Sequence, residues 1–303
     1  MNERPRRLRR SQLSVPGSSE KMLAKAASCA ADHIFCDLED SVALSAKVEA
    51  RDKVIYALRT HNWKPKTRCV RINDLGTEFA HDDIISIVTA AHESLDTIMI
   101  PKVKSARDVL WVETLLVQLE RKLGLSRRIG LEVLIEEVEG MMRVEEIAAS
   151  TRRLECLIFG MGDYSASQGI DSVFVNGGGA YPGDIWHYPR YKVAIAARAN
   201  QLDAIDGPFA DFRNEAAYRD EAKRAMMLGC VGKWAIHPSQ ILPALEIFSP
   251  RPEEVERART LARAYQEAQA RGEGAVQVDG MMVDVASIRI LQNTLDRAEL
   301  VGM

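Results

Sequence analysis

The chain has 303 residues, 47% hydrophobic and 27% charged, with a formal net charge of -3. That length supports a full-sized core, as two domains or as a single α/β barrel of roughly 250 residues, and the near-neutral charge offers no general surface for nucleic acid. No apolar run approaches the roughly 20 residues of a membrane span. Five scattered cysteines without a CxxC pair point to a reducing, cytoplasmic setting with neither a disulfide frame nor a zinc site.

The opening MNERPRRLRR carries Arg4, Arg6, Arg7, Arg9 and Arg10 and is followed by SQLSVPGSSE. A secretory leader would continue into an apolar core, so none is expected. Arg4, Arg6 and Arg7 read as a solvated arm. Arg9 and Arg10 abut the first strand, where a phosphate clamp is a second reading.

A first strand at 12–15 is closed by Pro16-Gly17-Ser18-Ser19, and a Ser-capped helix at 20–31 follows. Backbone N–H groups at such a helix start can hold an anion, although PGSS is also an ordinary turn. The second strand, 33–38, ends in Glu39-Asp40, either a helix cap or part of a site. After a helix at 47–58, the third strand, 68–72, places Arg71 between Val70 and Ile72. Alternation turns Arg71 to the face opposite those neighbours. A guanidinium there needs a carboxylate, from the protein or from a substrate.

A helix at 82–91 precedes the fourth strand, 97–101, which ends in Lys102, and a helix at 106–123 leads to the fifth strand, 131–135. The fifth and sixth strands, the latter at 156–159, enclose an amphipathic helical segment and end in Glu136 and Asp163. As a pair of hard oxygen donors without a His or Cys pair nearby, these two suit Mg2+; the plainer reading is acids in solvated loops. The aperiodic stretch 173–186 is expected to be a loop that serves as lid or substrate wall. Beyond it come a helix at 188–200, a strand at 203–205 ending in Asp206, a helix at 215–228, and a strand at 231–236 ending in His237-Pro238. His237 reads more readily as a structural hydrogen-bonding residue than as a base.

Eight strands each followed by a helix predict a (β/α)8 TIM barrel over 1–247. Glu39, Arg71, Lys102, Glu136, Asp163, Asp206 and His237 then share one rim, the catalytic face of such barrels. A charged helix at 252–271, a hairpin turning at Asp279-Gly280 and a helix at 288–301 form a C-terminal helical and hairpin extension, 248–303. It is expected to cover the mouth of its own barrel or a neighbour's. Asp284 stands in an apolar setting that would raise its pKa.

Taken together, LSVPGSS, CDLEDSV, VRIND, IMIPKV, LIEEVEG, FGMGDYSAS, IDGPFADF and KWAIHPSQ resemble the citrate lyase beta-subunit-like (HpcH/HpaI aldolase) family. Within it the malyl-CoA lyases are the most similar, over nearly the whole chain from about Arg10. The resemblance implies the barrel, Mg2+ with Mn2+ as the alternative ion, a CoA thioester substrate with a small 2-oxo acid, and a homotrimer or homohexamer. It gives Glu136 and Asp163 as metal ligands and Arg71 as the holder of substrate oxygens. Glu39, Asp40, Lys102 and Asp206 are expected to join substrate binding, and Arg9, Arg10, Ser18 and Ser19 to meet the CoA phosphates. Asp284 becomes a proton-transferring acid or base offered to a neighbouring subunit's site. Glu137 and Glu139 depart from the family's usual residues after Glu136, and the loop at 177–186 is shorter than in some malyl-CoA lyases.

The implied reaction is cleavage of malyl-CoA to acetyl-CoA and glyoxylate. Citramalyl-CoA or β-methylmalyl-CoA lysis, malyl-CoA thioesterase or malate-synthase-like activity, and a CoA-free metal aldolase are the alternatives. A non-enzymatic protein anchored by its Arg-rich start is the most distant.

Overall fold

The computed structural model describes residues 4–171 and 183–303. Eight parallel strands close on themselves in chain order: β1 (Ser11–Pro16), β2 (His33–Asp37), β3 (Thr67–Arg71), β4 (Thr97–Ile100), β5 (Gly130–Ile135), β6 (Leu154–Phe159), β7 (Asp203–Asp206) and β8 (Gly232–Ala235). Closure is made by β1 on β8, where Gln12 pairs with Trp234. Around the strands lie α1 (Glu20–Ser28), α2 (Lys47–Thr60), α3 (Ala80–Ala91), α4 (Ala106–Leu123), α5 (Val138–Met142), α6 (Val144–Ala149) and α7 (Met161–Gln168). They are followed by α8 (His187–Ala199), α9 (Glu215–Met227) and α10 (Ile241–Phe248). The (β/α)8 fold expected from the periodicity is the fold observed.

Period-two alternation sorts the barrel interior into layers. The middle layer is apolar and packs Phe35, Cys69, Met99, Leu134, Ile158, Ile205 and Trp234 into one cluster. One step toward the strand starts the interior is polar and sealed. Glu132 accepts from Thr97 at 3.0 Å, His33 Nε2 lies 2.9 Å from it, and Gln12 reaches its other oxygen at 3.3 Å. Arg9, only 2% exposed, closes this end with bonds to Glu155 at 2.5 Å and Asp203 at 2.8 Å. One step toward the strand ends stand Asp37, Arg71 and Glu136. Four of the five cysteines, Cys36, Cys69, Cys156 and Cys230, are buried in these walls, and Cys29 is half-buried.

The helical reading between β5 and β6 resolves into two short helices, because the backbone leaves helical geometry at Arg143. FGMGDYSAS, read as a strand end running into a loop, turns directly into α7. Asp163 therefore sits in the first turn of a helix. Of the loop expected at 173–186, residues 173–182 lie outside the described residues.

By its contacts the chain divides into two units, one made of Arg9–Leu245 with the chain start and the other of Glu246–Met303 with Arg6–Leu8. The second unit holds α11 (Pro252–Ala270), an antiparallel pair β9 (Ala275–Val278) and β10 (Met281–Asp284), and α12 (Val285–Leu300). The hairpin turns at Asp279 and Gly280, both with positive φ, as a two-residue turn of this type demands. Val283, Leu261 and Tyr265 form its own small core. Among the described residues no helix is long and apolar enough to cross a membrane.

Candidate active site

At the carboxyl end of the strands a cavity of about 370 Å³ is lined by Asp37, Asp40, Arg71, Glu136, Gly160, Asp163, Trp234 and neighbouring side chains. Asp37 and Arg71 face one another across adjacent strands, in register. Arg71 donates Nε to one Asp37 oxygen at 2.7 Å and Nη2 to the other at 2.8 Å. Its guanidinium also lies over the Trp234 and Phe35 rings, 5.6 and 5.9 Å from their centroids. The carboxylate that a buried Arg71 required is thus a protein one, and Nη1 remains to face Glu39 Oε2 at 2.9 Å. Burial alone would raise the pKa of Asp37. The Arg71 charge and the hydrogen bonds from Arg71, Ser41 and the Glu39 N–H outweigh it and hold the carboxyl below its ordinary value.

Glu136 continues the inward-facing series of β5 and is 2% exposed. Its Oε1 accepts from the Lys102 backbone N–H at 2.9 Å. A Cβ on Gly160 would lie 2.5 Å from Glu136 Oε2 and 2.7 Å from its Cβ, so only glycine leaves the carboxylate its place. Burial, and then the charge of Glu39, push Glu136 up to about 8, with Asp163 adding to the rise. Glu39 is pushed up to about 7 by burial, against the opposing pull of Arg71 and Lys102. Lys102 Nζ bonds Glu39 Oε1 and lies 3.3 Å from both Asp40 oxygens.

The rim therefore gathers Asp37, Glu39, Asp40, Glu136 and Asp163 around the cations Arg71 and Lys102, an excess of negative charge that a divalent ion would relieve. Glu136 and Asp163 are hard oxygen donors on one cavity, and the empty side of Gly160 leaves the Glu136 carboxylate unobstructed. These residues fit Mg2+.

A second set of metal-compatible donors, His33, Cys69 and Glu132, has its atoms within 4.8 Å of one another at the sealed end. Arg9 already supplies positive charge to Glu132, and Thr97, Gln12 and His33 occupy its lone pairs. We read this set as the polar base of the barrel.

Three expectations are corrected. Arg9 and Arg10 do not reach the mouth. They sit where β1 begins, Arg9 buried among Glu155, Asp203 and Glu132, and Arg10 bonded to both Asp32 oxygens at 2.7 Å. Asp206 is fully buried and gives one oxygen to Arg190 at 2.7 Å and the other to Lys233 at 2.5 Å, leaving nothing for a substrate. Because Ile205 faces the barrel core, its neighbour Asp206 must face the helices. Asp284, expected to have a raised pKa, caps α12. The Ser287 N–H and hydroxyl both bond it at 2.9 Å, and they lower its pKa.

Ser18 and Ser19 do lie at the carboxyl end of β1, where Ser19 caps α1 and Lys53 bonds the Ser18 carbonyl at 3.2 Å. His237 stacks on Phe212 at 4.6 Å and caps its own short turn, the structural part expected of it. Asp37 and Gly160 were not anticipated. The signal for Asp37 was its spacing of two from Glu39 on a strand beside Arg71.

The model of the HpcH/HpaI aldolase/citrate lyase family matches residues 10–238. The chain belongs to this family. It is 40% identical over 308 residues to an L-malyl-CoA/beta-methylmalyl-CoA lyase of Cereibacter sphaeroides, covering 98% of this chain and 97% of that protein. It is 35% identical over 293 residues to a (3S)-malyl-CoA thioesterase of the same organism, covering 97% and 95%. The crystal structure of the protein CitE from Mycobacterium tuberculosis with magnesium, acetoacetate and coenzyme A superposes with a TM-score of 0.75 at 29% identity, covering 95% of this chain and 97% of that one.

Proposed function

We propose that this chain is a Mg2+-dependent carbon–carbon lyase of 3-hydroxyacyl-CoA thioesters that cleaves malyl-CoA to acetyl-CoA and glyoxylate. The observation that carries this reading is the meeting of Glu136, Asp163 and Arg71 on one cavity at the carboxyl end of the barrel. Mg2+ held by Glu136 and Asp163, with Mn2+ able to replace it, would supply a Lewis acid and template for the substrate's carboxylate and hydroxyl oxygens.

Cleavage breaks the bond between the hydroxyl-bearing carbon and the carbon next to the thioester. The hydroxyl proton passes to a cavity-lining carboxylate, for which Asp40 is placed; the hydroxyl carbon becomes the glyoxylate carbonyl, and the electron pair of the broken bond passes to the thioester as an enolate. Arg71, fixed by Asp37 and by the ring faces beneath it, lines the cavity with Nη1 beside Glu39, and would lend a preorganised positive charge to a developing oxyanion. Protonation of the enolate carbon completes acetyl-CoA. Asp284 from a neighbouring subunit of a homotrimer or homohexamer is the group we put there. As a cap it is held in the charged form, ready to take a proton from acetyl-CoA in the condensing direction, and it must be freed from Ser287 to act as an acid. The CoA phosphates would meet the Ser18-Ser19 turn, with Lys53 as the nearby cation in place of Arg9 and Arg10. Such a protein would work in the cytoplasm.

Incubation with Mg2+ and malyl-, β-methylmalyl- and citramalyl-CoA, with both products identified by mass, tests this. Acetyl- or propionyl-CoA with a 2-oxo acid is expected. A panel in which no acyl-CoA appears would overturn it. The likeness to a thioesterase favours hydrolysis as the second reading, and free CoA with intact malate would reveal it.

A further inference from the structure

The rim offers more carboxylates than one divalent ion requires. Glu39 and Glu136 are alike in type and burial, 4% and 2% exposed, and each has an aspartate partner, Asp40 or Asp163. What separates the pairs is Lys102. With φ at 51° it adopts the left-handed conformation that a residue with a side chain rarely keeps unless its surroundings hold it there. That conformation aims its two ends at different acids. The backbone N–H goes to Glu136 Oε1, a neutral donor, while the ammonium goes to Glu39 and Asp40. Arg71 Nη1 lies 2.9 Å from the second Glu39 oxygen, an ion pair without hydrogen-bond alignment. Glu39 therefore has a cation on each oxygen, whereas the one hydrogen bond described for Glu136 comes from an uncharged amide.

We infer that Lys102 selects the metal site: its ammonium occupies Glu39 and Asp40 so that a divalent cation is directed to Glu136 and Asp163, and its N–H fixes the angle of Glu136. The inference rests on the metal reading given above and adds the residue that makes it unique. A divalent ion approaching Glu39 would meet both the ammonium and the guanidinium at hydrogen-bond range, whereas at Glu136 both cations act from farther off, with no described side-chain bond or ion pair to it, and repel the ion less.

The test is a Mn2+ titration of the full-length, metal-stripped protein, read as loss of the free-ion electron paramagnetic resonance signal. Asp163→Asn should weaken binding by about tenfold or more, as loss of a charged ligand requires. Lys102→Met keeps the N–H and removes the charge, so it should tighten Mn2+ binding by about tenfold or admit a second ion. The double variant Lys102→Met with Asp163→Asn should regain binding through Glu39 and Asp40, and Lys102→Arg should match the unaltered protein. Lys102→Gln serves if the Met variant does not fold, judged by circular dichroism. Unchanged or weaker Mn2+ binding in Lys102→Met, with no recovery in the double variant, overturns the selector while leaving the metal site intact. Undiminished binding in Asp163→Asn overturns the metal site itself.

Discussion

At position 160 the absence of a side chain is what lets Glu136 stand in the cavity. A methyl group there would overlap the carboxylate at 2.5 Å, and the backbone on that wall cannot retreat because Gly160 N bonds the Ile135 carbonyl at 3.1 Å. Gly160→Ala should lower Mg2+ affinity by roughly 10–100-fold, the usual effect of displacing a group that orients a ligand, as isothermal titration would measure. Protonation competes at the same carboxylate. With Glu136 pushed up to about 8 and Glu39 to about 7, the folded protein holds protons that the unfolded chain, at ordinary carboxyl values, has lost. Between about pH 5 and 8 the metal-free protein should therefore lose stability as pH rises. Mg2+ binding, which displaces those protons, should strengthen over the same interval. Thermal melts at pH 5.5 and 8.5 with and without Mg2+ check both signs: the metal-free melt should fall and the Mg2+ increment grow. At this scale the sequence made Arg71's need for an acid plain, since a lone guanidinium in an apolar strand demands one. It misplaced Asp206, Arg9 and Arg10 because nearness to a strand end was weighed without asking which way alternation turned each side chain.

At the scale of elements, the strands carry three kinds of interior in sequence: a salt-bridged base, an apolar middle and a charged rim. The base is the exposed weakness. Arg9→Ala would take from Glu132, Glu155 and Asp203 the buried cation that they share, and removal of one member of a buried pair costs about 3–5 kcal/mol. Urea unfolding should show that loss, with the metal affinity of any folded fraction unchanged, because the rim lies on the other side of the apolar layer. Most elements were legible because barrel strands are short, apolar and separated by periodic helices. The helix carrying Asp163 was not, because Gly162, Ser165 and Ser167 give it weak propensity. It is held by tertiary contacts, with Phe159, Tyr164 and Trp186 packed ring against ring.

At the scale of the molecule, the proposed part of Asp284 concerns assembly. If each site takes its metal pair from one subunit and Asp284 from the next, Asp284→Asn and Asp163→Asn should each be inactive alone. Mixed and reassembled, they should recover about a quarter of the sites, the fraction in which two intact halves meet at random in a closed ring. A mixture as inactive as its parents would return Asp284 to a purely structural cap. Sequence patterning located the extension and its hairpin, but hydrogen bonding within the α12 cap, which decides the charge of Asp284, depends on side-chain geometry that patterning does not carry.

The placement of the thiols has a practical outcome. Burial pushes Cys36 and Cys230 up to about 12 and raises Cys69 and Cys156 well above the ordinary thiol range, so these four are poor nucleophiles while the barrel is folded. Only Cys29, just past α1, is partly open to reagents. A maleimide dye or spin probe can then be attached at one defined point of the native chain without engineering any residue away, at the end of the barrel where the strands begin, clear of the rim that holds the site.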